Sequence, residues 1–149
     1  MKVLVPVDGS KYSLEALTVA IDFVKTKGGE ISVISVVPDI GGMDGHEISP
    51  ARRERHMETF EKRADEIVKQ ACDMLSAAKV TTSCAKNIVT SVSIADAIVD
   101  FAETEKIDLI IMGSRGLTLS SRIKLGSIAS QVIKHSPCSV YLVKPASGE

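Results

Sequence analysis

The sequence predicts one α/β domain built on an open five-stranded parallel sheet, because strand signals and helix signals alternate along all 149 residues. Short runs of branched apolar residues predict strands, and longer runs with apolar residues every three or four positions predict helices. Parallel strands joined by helices cross over with a right hand and place helices on both faces of the sheet. We expect the strand order 3-2-1-4-5, in which strands are added to one side of the first strand and then, from the fourth strand on, to its other side.

The first half of the chain carries two strands and two helices. The predicted elements are a strand over Lys2–Val7, a helix over Ser10–Lys27, a strand over Glu30–Val37 and a long helix over Pro50–Ala78. Gly28 and Gly29 end the first helix, as glycine commonly does. Pro38–Ser49 lacks periodicity and is interpreted as a loop and a candidate lid. The long helix is predicted to bury the face made by Met57, Phe60, Ala64, Ile67, Ala71, Leu75 and Ala78.

The second half continues the alternation. The predicted elements are an edge strand over Val80–Val89, a helix from Ser93 to about Glu105, a strand over Asp108–Met112, a helix over Ser127–Lys134 and a strand over Ser139–Lys144. Ser93 precedes Asp96 by three residues, which is typical of a helix N-terminus. No internal repeat or composition change divides the chain, so we expect residues 1–149 to form a single domain.

Composition excludes several classes of partner. The net charge of −1 provides no basic surface for nucleic acid or an anionic membrane, and the chain has no Trp and few other aromatic residues on which bases could stack. No apolar run is long enough to cross a membrane or to act as a signal peptide. Three widely spaced cysteines, Cys72, Cys84 and Cys138, indicate reduced thiols rather than a disulfide framework. We therefore expect a cytoplasmic protein.

Two strand ends carry residues suited to a ligand. Val7–Ser10 follows the first strand, and Gly113–Gly116 follows the fourth and continues to Gly126 and Ser127. Glycines allow close approach of a ligand, and a helix N-terminus at Ser127 favours an anion. Arg115, Arg122 and Lys124 add positive charge. The pattern predicts a phosphate site, and the alternative is that these glycines serve only as turn and cap residues.

Asp8 stands at the tip of the first strand, where its carboxylate is placed to accept hydrogen bonds from ribose hydroxyls. The alternative is that Asp8 or Ser10 caps the following helix. Neither a P-loop nor a G-x-G-x-x-G motif is present. The three histidines lack metal-ligand spacing, and Ser114 and Cys84 have no base near them in sequence. We therefore predict no catalytic residues and no metal ligands.

The glycine spacing Gly113-x2-Gly116-x9-Gly126-Ser127 after Leu109–Met112 resembles the nucleotide-binding signature of the universal stress protein family. Val5–Ser10 and Ser136–Lys144 are similar to that family's first and last strands, so the resemblance covers essentially the whole chain. It implies a Rossmann-like sheet of the adenine nucleotide alpha hydrolase type, which dimerises through strand 139–144 and binds ATP or a related nucleotide.

Carried over residue by residue, the resemblance assigns the nucleotide contacts. The phosphates would be held by Gly113, Gly116, Gly126 and Ser127, with Ile128 beside them. The ribose would be bound by Asp8. The adenine pocket would be lined by Pro6, Val7 and Val36, and its wall completed by Met112, Ser114 and Arg115. Family members often have Ser or Thr where this chain has Ala129, which leaves ATP with Mg²⁺, ADP and AMP all open. Val92 and Ile94 replace a small Gly and Pro, so we expect a changed turn there.

The resemblance also implies a function. The expected role is a nucleotide-binding regulatory module of the stress response with little or no catalysis. The alternatives are a slow ATPase or phosphotransferase, and a protein-interaction module that binds no nucleotide. A homodimer through strand 139–144 would protect an edge strand with few charges. The alternative is that Lys144 and Pro145 already blunt that edge.

Overall fold

The computed structural model describes residues 1–39, 49–117 and 125–145. Within these ranges the elements alternate as the sequence predicts. They are β1 (Lys2–Pro6), α1 (Lys11–Lys27), β2 (Glu30–Pro38), α2 (Pro50–Ala77), β3 (Thr82–Thr90), α3 (Ile94–Thr104), β4 (Leu109–Gly113), α4 (Ser127–His135) and β5 (Ser139–Val143). Most of the candidate lid, along with Arg122 and Lys124, lies outside the described residues.

The differences from the predicted bounds are small and have local causes. Ser10 and Ser93 are N-cap residues with extended backbone, so the helices begin one residue later than expected. The third strand was expected from Val80 but begins at Thr82. Lys79 adopts a φ of 59°, and the Val80 N–H donates to the Leu75 carbonyl oxygen at 3.1 Å. Val80 therefore belongs to the C-terminal turn of α2.

The sheet has the predicted order, β3-β2-β1-β4-β5, and all four pairings are parallel. Val3 pairs with Ile31 on one side and with Leu109 on the other. Successive strands are thus added in one direction from β1 to β3 and in the opposite direction from β4, and the carboxyl ends of β1 and β4 lie side by side. In open parallel sheets this is the position where ligands bind.

The core consists of one apolar cluster on each face of the sheet, which confirms helices on both faces. Val3 and Val5 of β1 point towards α1 and α2, where they join a cluster that includes Leu17 and Leu75. Leu4, between them, points the other way and packs with Ile98 and Val132 of α3 and α4, among others. Because neighbouring residues of a strand face opposite sides, β1 contributes to both clusters.

α2 is longer than the sheet that it covers. Its buried residues are Ala64, Val68, Ala71 and Leu75, all in the C-terminal part. The prediction that Phe60 is buried is wrong, since its side chain is 44% exposed. A helix of 28 residues spans roughly 40 Å, whereas the nine-residue strands beneath it span roughly 30 Å. Residues Pro50–Arg63, named here the α2 overhang, contain no buried residue, and the difference in length carries the N-terminal part of this segment beyond the carboxyl edge of the sheet.

Two further expectations concern cysteines and membranes. Cys72, Cys84 and Cys138 are all free thiols. Among the helices within the described ranges, none combines the length and the apolar character needed to cross a membrane.

Candidate functional site

A cavity of about 730 Å³ opens at the carboxyl edge of the sheet, where β1 and β4 end. This volume is typical of small-molecule sites. Every residue that the sequence assigns to the nucleotide lies in its lining: Pro6, Val7, Asp8, Val36, Met112, Gly113, Ser114, Arg115, Gly116, Gly126, Ser127 and Ile128. The fold therefore brings the two predicted loops to one place, and the roles of the individual residues remain predictions.

The N-terminus of α4 differs from those of the other helices. Ser10, Ser49 and Ser93 each cap their helix by accepting a hydrogen bond from a backbone N–H of the first turn. The N-cap of α4 is Gly126, which has no side chain to do so. Its φ of −68° and ψ of 159° are open to any residue, so the glycine is not required by backbone conformation.

The consequence is an anion site made of backbone. The first N–H groups of a helix have no partner within the helix, and the helix dipole adds partial positive charge there. The Gly126 N–H donates to the Ser114 carbonyl oxygen at 2.6 Å, which fixes the start of α4 against the loop after β4. Gly126, Ser127, Ile128 and Ala129 all line the cavity. The uncapped first turn is therefore available to an anionic ligand.

Buried polar atoms beside this turn also lack partners. Ser114 is fully buried, and its hydroxyl makes no hydrogen bond with the described residues. Arg115 donates from Nη2 to the Tyr12 hydroxyl at 2.9 Å and lies over the Tyr12 ring, 4.7 Å from its centroid. Its Nε and Nη1 are buried and, within the described ranges, unpartnered. Unsatisfied buried polar groups cost about 1–3 kcal/mol each, so this arrangement is typical of a site that a ligand completes.

Asp8 lies between the two loops. Its Oδ1 accepts a hydrogen bond from the Ser10 N–H at 2.9 Å, while Ser10 caps α1 by accepting from the Ser13 N–H at 3.2 Å. Its Oδ2 makes no hydrogen bond with the described residues and lies 2.8 Å from the point that a Cβ on Gly116 would occupy. The capping interpretation is therefore confirmed for Ser10, and Asp8 keeps one oxygen at the cavity.

Gly113 has a different physical basis from the one predicted. A Cβ at this position would lie 3.0 Å from Tyr12 Cβ and 3.1 Å from the Tyr12 carbonyl carbon. The space beside Gly113 is therefore filled by the start of α1 rather than left open for a ligand. Gly113 still lines the cavity, but its absence of a side chain serves the packing of α1 on β4.

The remaining wall is apolar. Val36, Met112 and Ile128 face the cavity together with Ile94 and Ile98 of α3. The turn before α3 was expected to change because of Val92 and Ile94. Ser93 nevertheless caps α3 through the Asp96 N–H at 3.0 Å, with Val92 exposed and Ile94 in the cavity lining. The wall suits the flat, largely apolar surface of a purine.

α2 also contributes to the cavity, which the sequence did not indicate. Phe60, Arg63 and Ile67 also line the cavity. They are spaced three and four residues apart and so lie on one face of the helix. The length of the helix could have indicated this contribution, because a helix of 28 residues is longer than the strands on which it packs. Among the described residues, no group of three or more His, Cys, Asp or Glu side chains is arranged to hold a metal ion.

Known proteins show the same architecture. Residues 1–144 match the model of the universal stress protein family. The chain belongs to that family. Universal stress protein MJ0531 of Methanocaldococcus jannaschii is 36% identical over 152 residues, which cover 99% of this chain and 84% of that protein.

Solved structures agree with this membership. MJ0577, whose structure was used for a structure-based assignment of biochemical function, has a TM-score of 0.83 and 25% identity, covering 99% of this universal stress protein and 97% of that chain. A universal stress protein solved in complex with cAMP has a TM-score of 0.66 and 25% identity, covering 96% and 95%. The predicted family and the predicted fold are thus both confirmed.

Proposed function

We propose that this chain binds an adenine nucleotide in the cavity at the carboxyl edge of the sheet and acts as a regulatory stress-response module. The observation that carries the proposal is the uncapped N-terminus of α4 beside the unpartnered atoms of Ser114 and Arg115. In the three other helices a serine side chain accepts a hydrogen bond from the first turn, whereas the equivalent N–H groups of α4 have no side-chain cap. The complex of a similar universal stress protein with cAMP supports an adenine nucleotide as the ligand.

The chemistry of the lining divides the ligand into three parts. A phosphate accepts hydrogen bonds from the first turn of α4 and from Ser114. A ribose hydroxyl donates to Oδ2 of Asp8, since no described residue forms a hydrogen bond with that oxygen. The purine packs on the apolar wall that contains Val36, Met112 and Ile94.

The number of phosphates is the finer part of the proposal. Ala129 is buried in the lining and offers no hydroxyl where relatives of the ATP-binding type often place one. The proposed ligands are ATP, ADP and AMP. Of these, AMP depends least on the hydroxyl that is missing at Ala129. Mg²⁺ accompanying ATP would be held mainly by phosphate oxygens and water, as that ion prefers.

Regulation rather than turnover follows from the charged residues of the lining. Asp8 is the one carboxylate among the described lining residues, and its Oδ1 is held by the Ser10 N–H. Hydrolysis needs a base that positions water, and a carboxylate committed to a backbone N–H and a ribose hydroxyl is poorly suited to it. We expect ATP turnover below about 1 s⁻¹, the lower end of ordinary enzymes.

The test is to identify and measure the ligand. Mass spectrometry of small molecules released by denaturing the freshly purified protein should show an adenine nucleotide. Calorimetric titration of the stripped protein should then give micromolar binding of AMP or ATP and far weaker binding of GMP. A protein that is purified empty and binds no adenine nucleotide at millimolar concentration would refute the proposal and favour a protein-interaction module.

We propose further that the protein is a cytoplasmic homodimer joined through β5. β5 is an edge strand with Val140 and Leu142 half-buried and Tyr141 48% exposed. Pairing with a second copy would cover that edge. Sedimentation should show a dimer that Tyr141→Glu dissociates and Tyr141→Phe preserves. A monomer at all concentrations would contradict the dimer, and a cytoplasmic fluorescent fusion would support the location.

A further inference from the structure

The face of the α2 overhang that lines the cavity is basic. The main cavity is lined by Phe60, Arg63 and Ile67 of this helix. Phe60 also lines an adjoining cavity, whose other lining residues are Arg52, Arg55, His56 and Thr59. Residues of a helix lie about 100° apart around its axis. On that spacing Arg52, His56 and Arg63 share the side of Phe60. Glu54, Glu58 and Glu61 lie on the other side, together with Arg55 and Lys62, so the side of Phe60 carries no acidic residue of the overhang.

Arg63 is the member of this face that reaches the cavity. Its Nη2 lies 3.8 Å from the point that a Cβ on Gly9 would occupy, which places the guanidinium against the loop after β1. It makes no hydrogen bond or ion pair with any residue that the structure describes, and its side chain is exposed. Arginine is well suited to phosphate because its planar guanidinium offers several donors at once.

Arg63 is distinct from the phosphate site at α4. α1 and α2 pack on one face of the sheet, and α3 and α4 pack on the other. The cavity is therefore bordered by the anion site of α4 on one side and, on the other, by the Arg63 guanidinium of α2, which pairs with no described residue. Asp8 is the single negative residue among the described lining residues, against Arg63 and Arg115. A ligand whose one phosphate is bound at α4 has no second anionic group to offer Arg63.

We propose that the ligand is an adenine nucleotide with phosphates at two separated points, one bound by the first turn of α4 and the other by Arg63. This rests on the proposed function and names its ligand class more closely. The second phosphate is carried on the ribose, either as a free group, as in an adenosine bisphosphate, or as a 3′→5′ phosphodiester to a second nucleoside, as in a 5′-phosphorylated dinucleotide. In the second case Phe60 offers an exposed ring on which the distal base can stack.

The test compares AMP with adenosine 3′,5′-bisphosphate, adenosine 2′,5′-bisphosphate and the 5′-phosphorylated dinucleotide pApA by calorimetry. At least one of the three should bind about tenfold more tightly than AMP, the low end for a charge-assisted hydrogen bond. Arg63→Gln should remove that gain and leave AMP binding nearly unchanged. Lys62→Gln is the matched control, because it removes the same charge from the adjacent exposed position and should keep the gain.

The variants also separate the two sources of the second phosphate. Phe60→Ala should weaken the binding of pApA alone if the distal base stacks there, and it should leave the bisphosphates unaffected. If no doubly phosphorylated ligand exceeds AMP, or if the gain survives Arg63→Gln, the inference is wrong while AMP binding upholds the proposed function. If AMP and all three other ligands fail to bind the native protein, both are wrong. Circular dichroism confirms that each variant is folded.

Discussion

Replacing Gly126 by Asp or Asn tests whether the first turn of α4 binds phosphate. Gly126 already has the extended conformation of an N-cap residue, which Asp and Asn also adopt. Either side chain would accept hydrogen bonds from the N–H groups that the ligand requires. Both add the same Cβ, 3.3 Å from the Ser114 carbonyl oxygen, so the pair differs mainly in charge. The Asn variant is therefore the matched control for the Asp variant.

The expected difference between these two variants is large. Two unit charges about 5 Å apart repel by roughly 3 kcal/mol at an effective dielectric constant of about 20, which corresponds to about 100-fold in affinity. Asn should weaken AMP binding by competition, and Asp should weaken it about 100-fold more. Thermal unfolding of the two variants should be similar, since both residues cap helices equally well.

Calorimetry with AMP and with uncharged adenosine is the assay. Adenosine should bind the Asp and Asn variants equally, because it carries no phosphate to be repelled. The reasoning is refuted if AMP binds the folded Asp variant within about threefold of the Asn variant. It is also refuted if adenosine and AMP lose affinity to the same extent, since the effect would then not depend on phosphate.

Three other predictions follow from packing and burial. Gly113→Ala should lower the free energy of unfolding in urea by about 1–3 kcal/mol through overpacking against Tyr12, and an unchanged midpoint would contradict that contact. Leu75→Ala should cost about 2–5 kcal/mol in the same assay because Leu75 is fully buried, and a loss below about 1 kcal/mol would contradict its place in the core. Burial, and secondarily Asp73, raises the pKa of the Cys72 thiol. The folded state therefore favours the protonated thiol, so the stability that Cys72 contributes should be lost as pH rises through its folded pKa. Its alkylation rate should rise with pH at a higher midpoint than in the unfolded chain, and identical midpoints would contradict the shift.

The sequence was sufficient for the sheet and its two cores. β1 reads as apolar on every residue from Val3 to Val5, which is typical of a strand buried on both faces. The structure assigns those residues alternately to the two clusters. The strand order was expected by analogy with the half-sheet order of doubly wound folds, in which the two specialised strand ends, at Asp8 and Gly113, lie side by side.

Contacts between distant residues could not be predicted in the same way. The stacking of Arg115 on Tyr12 joins positions 103 residues apart, and no local pattern encodes it. The same is true of the packing of Tyr12 against Gly113, which gives the absence of a side chain there a reason that the sequence did not indicate. Periodicity placed Phe60 on the correct face of α2 but carried no information on where the sheet beneath the helix ends. Without the position of the sheet edge, the contribution of α2 to the cavity could not be predicted.

The most direct test of the central claim is to follow the backbone N–H groups of Ser127 and Ile128 by NMR during titration with AMP and with adenosine. Hydrogen bonds to phosphate should shift these two resonances strongly with AMP and only weakly with adenosine, while Val36 responds to both ligands. If AMP binds and the resonances of Ser127 and Ile128 move no more than they do with adenosine, the first turn of α4 is not the phosphate site.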